Sequence, residues 1–300
     1  MGGQKPETNK NKISVGLLAH VDAGKTTLSE SLLYLTGAIR KMGRVDDRDV
    51  FLDTYELERE RGITIFSKQA VFDLGDKNIT LLDTPGHVDF SAEMERTIQV
   101  LDAAILVVSG ADGVQGHTRT VWRLLKRHHV PVFLFINKMD QSGCDPAALM
   151  KDLKTNLDGN CVDFGGWSGE KGEWDPKKTQ PDEFYQELAV CDEAVMEAYF
   201  ENGIINTEEI SQLVENRKVF PCYFGSALKL KGVEKLIEGI TLYGKGVETG
   251  KEEEPFGGKV FKISRDNQGN RLTHLKVTSG VLHVKDCWGE EEKVNQIRIY

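Results

Sequence analysis

The most constraining feature of this sequence is a short apolar run that ends in a glycine-containing loop and is followed at once by a helical pattern. Residues 13–19 form the apolar run, and residues 24–35 have the periodicity of a helix. Between them, AHVDAGKT at 19–26 would turn its backbone N–H groups toward a helix N-terminus, where they can bind phosphate. This order predicts a phosphate-binding loop, with Ala19 where the strict pattern has Gly.

The candidates for phosphate and metal binding in this loop and the start of its helix are Asp22, Ala23, Gly24, Lys25, Thr26 and Thr27. The Lys25 ammonium can contact the β- and γ-phosphate oxygens, and the Thr26 hydroxyl can bind Mg²⁺. The alternative is a chance Gly-Lys-Thr in a surface turn, which the flanking strand and helix patterns disfavour.

Apolar runs and helical patterns alternate along the chain, which is typical of a doubly wound α/β fold with a mostly parallel sheet. The further predicted strands are 68–74, 78–83, 104–108, 132–136 and 219–224, and the helices between and after them are about 91–101, 114–128 and 232–242. We therefore predict a P-loop NTPase domain over residues 1–245. The stretch 141–225 is longer than one crossover helix requires, so we expect a mainly helical insert with helices at about 183–201 and 207–217.

The composition changes after Gly244, where GKGVETGKEEEP has the polar, charged character of a linker. The strands predicted beyond it are 258–264, 271–278, 281–287 and 293–299. We interpret residues 256–300 as the start of an antiparallel β-barrel domain, because a closed barrel usually needs more chain.

Two further segments carry side chains suited to metal binding and hydrolysis. Asp83 ends a predicted strand, at the edge where α/β sheets bind ligands, and its carboxylate can hold a Mg²⁺-bound water. Gly86 can bring its N–H close to a γ-phosphate, and His87 is placed to orient an attacking water, although a lone histidine is more often a surface or capping residue. Composition around Thr64 favours a solvated turn, but its place along the chain is that of the threonine that reaches Mg²⁺ in P-loop GTPases.

Two segments predict which base is bound. The Asp140 carboxylate can accept from both N1–H and the exocyclic amine of guanine, whereas adenine offers no such pair of donors. The predicted ligands are therefore GTP and GDP rather than ATP. The base-binding candidates are Asn137, Lys138 and Asp140, together with Ser226, Ala227 and Leu228, whose loop would offer a backbone N–H to the guanine O6.

Taken in order, AHVDAGKTT, ERERGITI, DTPGHVDF, DGVQ, FINKMD and GSA resemble the translational GTPases of the elongation factor G type. Within that group, ESLLYLTGAI, VLDAAILVVSGADGVQ and SGVLHVKD are most similar to tetracycline-resistance ribosomal protection proteins. The resemblance covers nearly the whole chain but only the amino-terminal part of the family's length. It implies a Mg²⁺-dependent GTPase whose catalytic residues are His87, Lys25, Thr64 and Gly86.

The resemblance also implies a partner. In this family the large-subunit RNA of the ribosome activates the histidine that matches His87, and Val21 and Ile63 match the hydrophobic gate beside it. Ala19 is the family's usual residue, so its difference from the Gly of the strict pattern does not count against a phosphate-binding loop.

Composition narrows the partners and the location. The formal net charge of −9 disfavours a chain that coats nucleic acid, so we expect no DNA partner. No apolar run approaches the roughly 18–20 residues of a membrane span, so we expect a cytoplasmic protein with no membrane partner. We also expect a monomer. The five scattered cysteines are expected to be reduced thiols.

Three other functions stay open. A translocating elongation factor shares all the nucleotide-binding motifs. The presence of His87, Thr64 and Lys25 together weighs against a GTP-binding scaffold with little hydrolysis. An ATP-dependent P-loop enzyme conflicts with Asn137, Lys138 and Asp140.

Overall fold

A computed structural model describes residues 11–43, 68–84, 91–167, 173–174, 181–246, 253–266, 268–288 and 292–299. Its centre is an eight-stranded sheet. The strands are β1 Asn11–Ala19, β2 Lys68–Leu74, β3 Lys77–Asp83, β4 Ala103–Ser109, β5 Val132–Asn137, β6 Cys161–Trp167, β7 Glu173–Trp174 and β8 Phe220–Phe224.

The strands lie side by side in the order β2-β3-β1-β4-β5-β8-β6-β7. The six inner strands run parallel, whereas β2 and β7 at the two edges pair antiparallel with their neighbours. The predicted doubly wound, mostly parallel α/β fold is therefore confirmed.

The helices of the described residues are α1 Lys25–Leu35, α2 Ser91–Ile98, α3 Gly116–Arg127, α4 Pro146–Asn156, α5 Pro181–Ala189, α6 Glu193–Asn202, α7 Thr207–Glu215 and α8 Val233–Tyr243. Two buried clusters lie against the two faces of the sheet. Successive residues of β4 alternate between them, so Ile105 joins the cluster of α1 and α8, and Leu106 joins that of α2 and α3. Burial on both faces explains why β4 and β5 are continuous apolar runs.

Two predictions within the stretch 141–225 are corrected by the structure. The single helix predicted at about 183–201 is two helices, α5 and α6, because the Asp192 side chain caps α6 by accepting from the N–H groups of Ala194 and Val195. The sequence also predicted no strand between β5 and β8, yet β6 pairs parallel with β8 and extends the sheet. The insert and domain boundaries as such stay predictions.

Beyond the linker, β9 Gly257–Arg265 and β10 Arg271–Ser279 form an antiparallel pair, as predicted. The longer strands predicted at 281–287 and 293–299 are wrong in extent, since only β11 Cys287–Trp288 and β12 Glu292–Lys293 pair there among the described residues. Residues 283–286, before β11, form a turn and not a strand. The His283 N–H donates to the Asp286 carboxylate at 2.6 Å, and Lys285 has a φ of 83°. Closure into a barrel stays a prediction.

The β9–β10 pair is tied to the main sheet through Lys276. Its ammonium lies 2.5 Å from the Asp102 carboxylate and 3.1 Å from the Val100 carbonyl oxygen. The other carboxylate oxygen of Asp102 accepts from the Ser14 N–H of β1 at 2.8 Å. Phe261 of β9 completes the contact by packing into the α2–α3 cluster.

Among the described residues, every helix is too short or too polar to cross a bilayer. All five cysteines are free thiols.

Candidate nucleotide-binding site

The predicted site residues meet at one edge of the sheet. β1, β3, β5 and β8 are parallel, so the segments that follow their carboxyl ends share that edge. These segments are the phosphate loop after β1, the end of β3 at Asp83, residues 137–140 after β5 and residues 225–228 after β8.

The phosphate loop turns sharply before α1. Asp22 and Gly24 have positive φ angles of 62° and 89°, and the Ala23 N–H donates to the His20 carbonyl at 3.2 Å. Gly24 is needed for a second reason, because a Cβ there would lie 2.3 Å from the Asn137 Nδ2 atom. The loop therefore delivers the first amides of α1, which have no partner within the helix, to the carboxyl edge of the sheet.

Lys25 and Asp83 lie together at the base of the loop. The Lys25 ammonium donates to the Asp83 carboxylate, and the two side chains are only 8% and 1% exposed. Asp83 is held in place by the next residue, Thr84, whose hydroxyl donates to the Leu17 carbonyl of β1 at 2.9 Å. The buried ammonium can contact a phosphate, and the buried carboxylate beside it can contact a metal ion.

The donor set beside this pair fits Mg²⁺. Thr26 follows Lys25 in the first turn of α1, so a hydroxyl and the Asp83 carboxylate are available at the same end of the helix. Mg²⁺ prefers such hard oxygen ligands and usually binds through one or two protein groups together with substrate phosphates. Thr27 lies one residue further along the same turn.

Asn137 connects the phosphate loop to the loop after β8. Its side-chain amide donates to the Ala23 carbonyl, and its side-chain oxygen accepts from the Ala227 N–H, both at 2.9 Å. The residue is 3% exposed. Both ends of the Asn137 side chain are thus used inside the protein, which joins two loops that are far apart in sequence.

Asp140 lies beside the same loop. Its carboxylate is 3.3 Å from the Lys229 ammonium. Burial alone would raise the pKa of Asp140, but hydrogen bonds from Ser226 and Lys229 outweigh it, and the pKa is lowered from the ordinary value. Asp140 is therefore an ionised acceptor at neutral pH. Lys138, with a φ of 62°, makes the turn that leads to it.

The amides of the loop after β8 are not all available to a ligand. The Ser226 N–H donates to the Lys231 carbonyl at 2.9 Å, and the Ala227 N–H is used by Asn137. Leu228 is 54% exposed, and no acceptor for its N–H lies within the described part of the chain. Of the three predicted residues of this loop, Leu228 therefore has the amide that is open to a base.

Three predicted catalytic residues, Thr64, Gly86 and His87, lie outside the described residues, as does Ile63. Their roles stay predictions.

The sequence-based reasoning missed Ser31. Its hydroxyl lies 2.8 Å from the Ala227 carbonyl oxygen. The available signal was the spacing of Thr27 and Ser31, since residues four apart lie on one face of a helix. The partner, 196 residues away, gave no local signal.

Comparisons with known proteins agree with this geometry. Residues 10–245 match the family described as Elongation factor Tu GTP binding domain. Among curated proteins, the chain is 36% identical over 296 residues to the tetracycline resistance protein TetS of Listeria monocytogenes, and 39% identical over 290 residues to the oxytetracycline resistance protein of Streptomyces rimosus. These matches cover 96% and 92% of this chain and confirm the predicted resemblance to tetracycline resistance proteins.

A solved crystal structure from Thermus thermophilus has the same fold, with a TM-score of 0.80 and 26% sequence identity over 92% of this chain. The chain spans 46% of the Listeria protein, 43% of the Streptomyces protein and 46% of the Thermus chain. It therefore corresponds to just under half the length of each of these relatives.

Proposed function

Because the chain belongs to the family that carries the Elongation factor Tu GTP binding domain, we propose that it binds GTP with Mg²⁺ and hydrolyses it to GDP and phosphate in a reaction that the ribosome stimulates. The observation that supports this best is Asn137, which joins the phosphate loop and the base loop through one buried side chain. A site built this way holds both ends of one nucleotide.

The phosphate end would be bound by backbone amides at the start of α1 and by the Lys25 ammonium, which would exchange its contact with Asp83 for phosphate oxygens. Thr26, Asp83 and Thr64 would hold the metal, directly or through water. When bound, Mg²⁺ neutralises charge on the phosphates.

The base end would be read by Asp140 and by the loop after β8. An ionised Asp140 accepts from the two donors of guanine, and a backbone N–H of the loop donates to the keto oxygen. The hydrolytic roles fall to Gly86, whose N–H would contact the γ-phosphate, and to His87, which would orient the attacking water.

GTP turnover with and without ribosomes, for the native protein and for His87→Ala, tests this function. We expect slow turnover by the isolated protein, strong stimulation by ribosomes, and a loss of roughly 10²–10⁴-fold in the stimulated rate for His87→Ala, which is the usual contribution of general acid–base catalysis. Affinity for a fluorescent GDP should be the same in both proteins, because His87 is not assigned to nucleotide binding. Equal turnover in all four samples would favour a scaffold that binds GTP without useful hydrolysis.

We further propose that the protein releases tetracycline from ribosomes, since two relatives found by sequence are named as tetracycline and oxytetracycline resistance proteins. A ribosomal partner would place it in the cytoplasm.

The alternative is a translocating elongation factor. The protein at its full natural length, added to translation stalled by tetracycline, should restore synthesis. Restored translocation in an extract that lacks its own factor, without rescue from tetracycline, would favour the alternative.

A further inference from the structure

A buried serine in the middle of α1 reaches the base end of the site. Ser31 is 0% exposed, and its Oγ atom lies 2.8 Å from the Ala227 carbonyl oxygen and 2.6 Å from the Thr27 carbonyl oxygen. The contact with Thr27 is the common bond of a helical serine to the preceding turn. The contact with Ala227 joins the helix to the loop after β8 and is the one that calls for an explanation.

Ala227 is held from both sides by this arrangement. Its N–H donates to the Asn137 side chain at 2.9 Å. Its carbonyl oxygen shares the single hydrogen of the Ser31 hydroxyl with the Thr27 carbonyl oxygen and also accepts from the Leu230 N–H at 3.1 Å. The residue is 0% exposed. The peptide group before Ala227 is therefore held by Asn137 of β5. The next one, which leads to Leu228, is held by Ser31 of α1 and by Leu230.

We propose that Ser31 is a positioning residue for guanine recognition, an inference that rests on the proposed function. α1 begins at Lys25, which is assigned to the phosphates, and about one and two-thirds turns later, at Ser31, it contacts the loop assigned to the base. The helix thereby sets the distance between the two ends of the site. Loss of the Ser31 hydroxyl removes one of the hydrogen bonds that hold Ala227 and so loosens the base loop, while leaving Lys25 and Thr26 in place.

Ser29 provides a matched comparison on the same helix. It is also 0% exposed, and its hydroxyl donates to the Thr26 carbonyl at 2.8 Å, within α1. Ser29→Ala therefore removes the same group and one local hydrogen bond, with no effect on the loop after β8.

The experiment measures release of a fluorescent GDP from the native protein, Ser31→Ala and Ser29→Ala, together with single-turnover GTP hydrolysis on ribosomes at saturating GTP. We expect Ser31→Ala to release GDP roughly three to ten times faster, which corresponds to one lost hydrogen bond, and Ser29→Ala to stay within about twofold. Hydrolysis by Ser31→Ala should stay within about twofold of the native rate, because its phosphate end is intact. Ser31→Thr, which keeps the hydroxyl, should restore slow release.

Equal release rates for Ser31→Ala and Ser29→Ala would overturn the proposal. So would a loss of hydrolysis by Ser31→Ala as large as its gain in release rate, since that result indicates general damage to α1. If Ser31→Ala does not fold, Ser31→Cys replaces it, because a thiol has similar size but is a weak donor, and faster release is expected again. A native protein that retains no GDP would contradict the proposed function instead.

Discussion

Asp140 shows how much one residue can decide in this site. Burial raises its pKa, but hydrogen bonds from Ser226 and Lys229 lower it below the ordinary value, so at neutral pH the carboxylate is ionised and can only accept hydrogen bonds. Guanine presents two donors on the edge that faces such an acceptor, and adenine does not. Discrimination between the two purines follows from the charge state of one side chain.

Asp140→Asn should change the base preference from guanine to xanthine. The substitution replaces one acceptor oxygen by an NH₂ donor, which opposes the guanine amine and suits the 2-keto oxygen of xanthine. The guanine amine and the new NH₂ group then face each other as two unsatisfied donors. Each costs roughly 1–3 kcal/mol, so GDP affinity should fall at least about thirtyfold. Competition of GDP and xanthosine diphosphate against a fluorescent nucleotide measures both effects.

Lys229→Ala is the control for this substitution. Lys229 is half exposed, and Asp140, whose ordinary pKa is 3.8, stays ionised at neutral pH without it, so its removal should alter GDP affinity by no more than about threefold. If Asp140→Asn weakened GDP and xanthosine diphosphate equally, the residue would be structural rather than selective.

Site residues that form a motif of adjacent positions can be predicted from the sequence. Site residues that act through a hydrogen bond to a residue far along the chain cannot. Gly24, Lys25 and Thr26 are adjacent, so their spacing alone indicates a phosphate loop. Ser31 depends on Ala227, and only the folded sheet brings the two together.

At the scale of elements, β6 shows where pattern reading fails. β1, β4 and β5 are buried runs of apolar residues and could be recognised without the structure. β6 has the sequence CVDFGGW, in which Asp163 and two glycines interrupt the apolar run, and a register shift between Asp163 and Gly165 breaks its pairing with β8. β6 joins the sheet by pairing with the edge of β8. The local sequence of β6 does not indicate this pairing.

The Asp163 carboxylate at this irregularity gives a prediction about pH. Its pKa is raised from 3.8 to about 7, mainly by burial, with a smaller contribution from the charge of Glu187 and against the opposing hydrogen bond from the Gly165 N–H. The folded state therefore binds this proton more tightly than the unfolded chain. The resulting stability is fully present below pH 3.8 and is lost as the pH rises through about 7.

Asp163→Asn should remove this dependence, because an amide oxygen can still accept from Gly165 and carries no charge. We expect the variant to be more stable than the native protein at about pH 8, with the difference shrinking toward about pH 6. Thermal unfolding at both pH values measures it. Asp182→Asn, at the exposed start of α5, is the control and should leave the native dependence intact. An unchanged pH profile in Asp163→Asn would contradict the assignment.

At the scale of the whole molecule, one ion pair joins the two parts of the chain. Lys276 and Asp102 are 17% and 13% exposed, so the pair is largely removed from water. Because Asp102 also accepts from Ser14, the contact reaches β1, the strand that leads into the phosphate loop. Alternating apolar runs and helical patterns predicted the first part, and the change in composition after Gly244 predicted the start of the second. The contact between them depends on packing and could not be predicted.

Lys276→Met should lower the free energy of unfolding by about 1–3 kcal/mol, since it leaves a largely buried carboxylate without its cation. Urea unfolding followed by tryptophan fluorescence measures the change. Lys259→Met, on the neighbouring strand and with only a 3.5 Å contact to the Gln99 carbonyl, should cost less than about 0.5 kcal/mol. Adding Asp102→Asn to Lys276→Met should recover part of the loss. Equal effects of the two lysine substitutions would show that the ion pair contributes nothing.

The double attachment of Asn137 has a consequence for how a ligand would leave. The same side chain bonds to the turn that would hold the phosphates and to the turn that would face the purine, so a displacement of Asn137 would loosen both turns at once. Opening of either turn alone would break only one of its two hydrogen bonds. A partner that speeds nucleotide exchange would therefore need to displace only this one residue to act on both ends of the ligand.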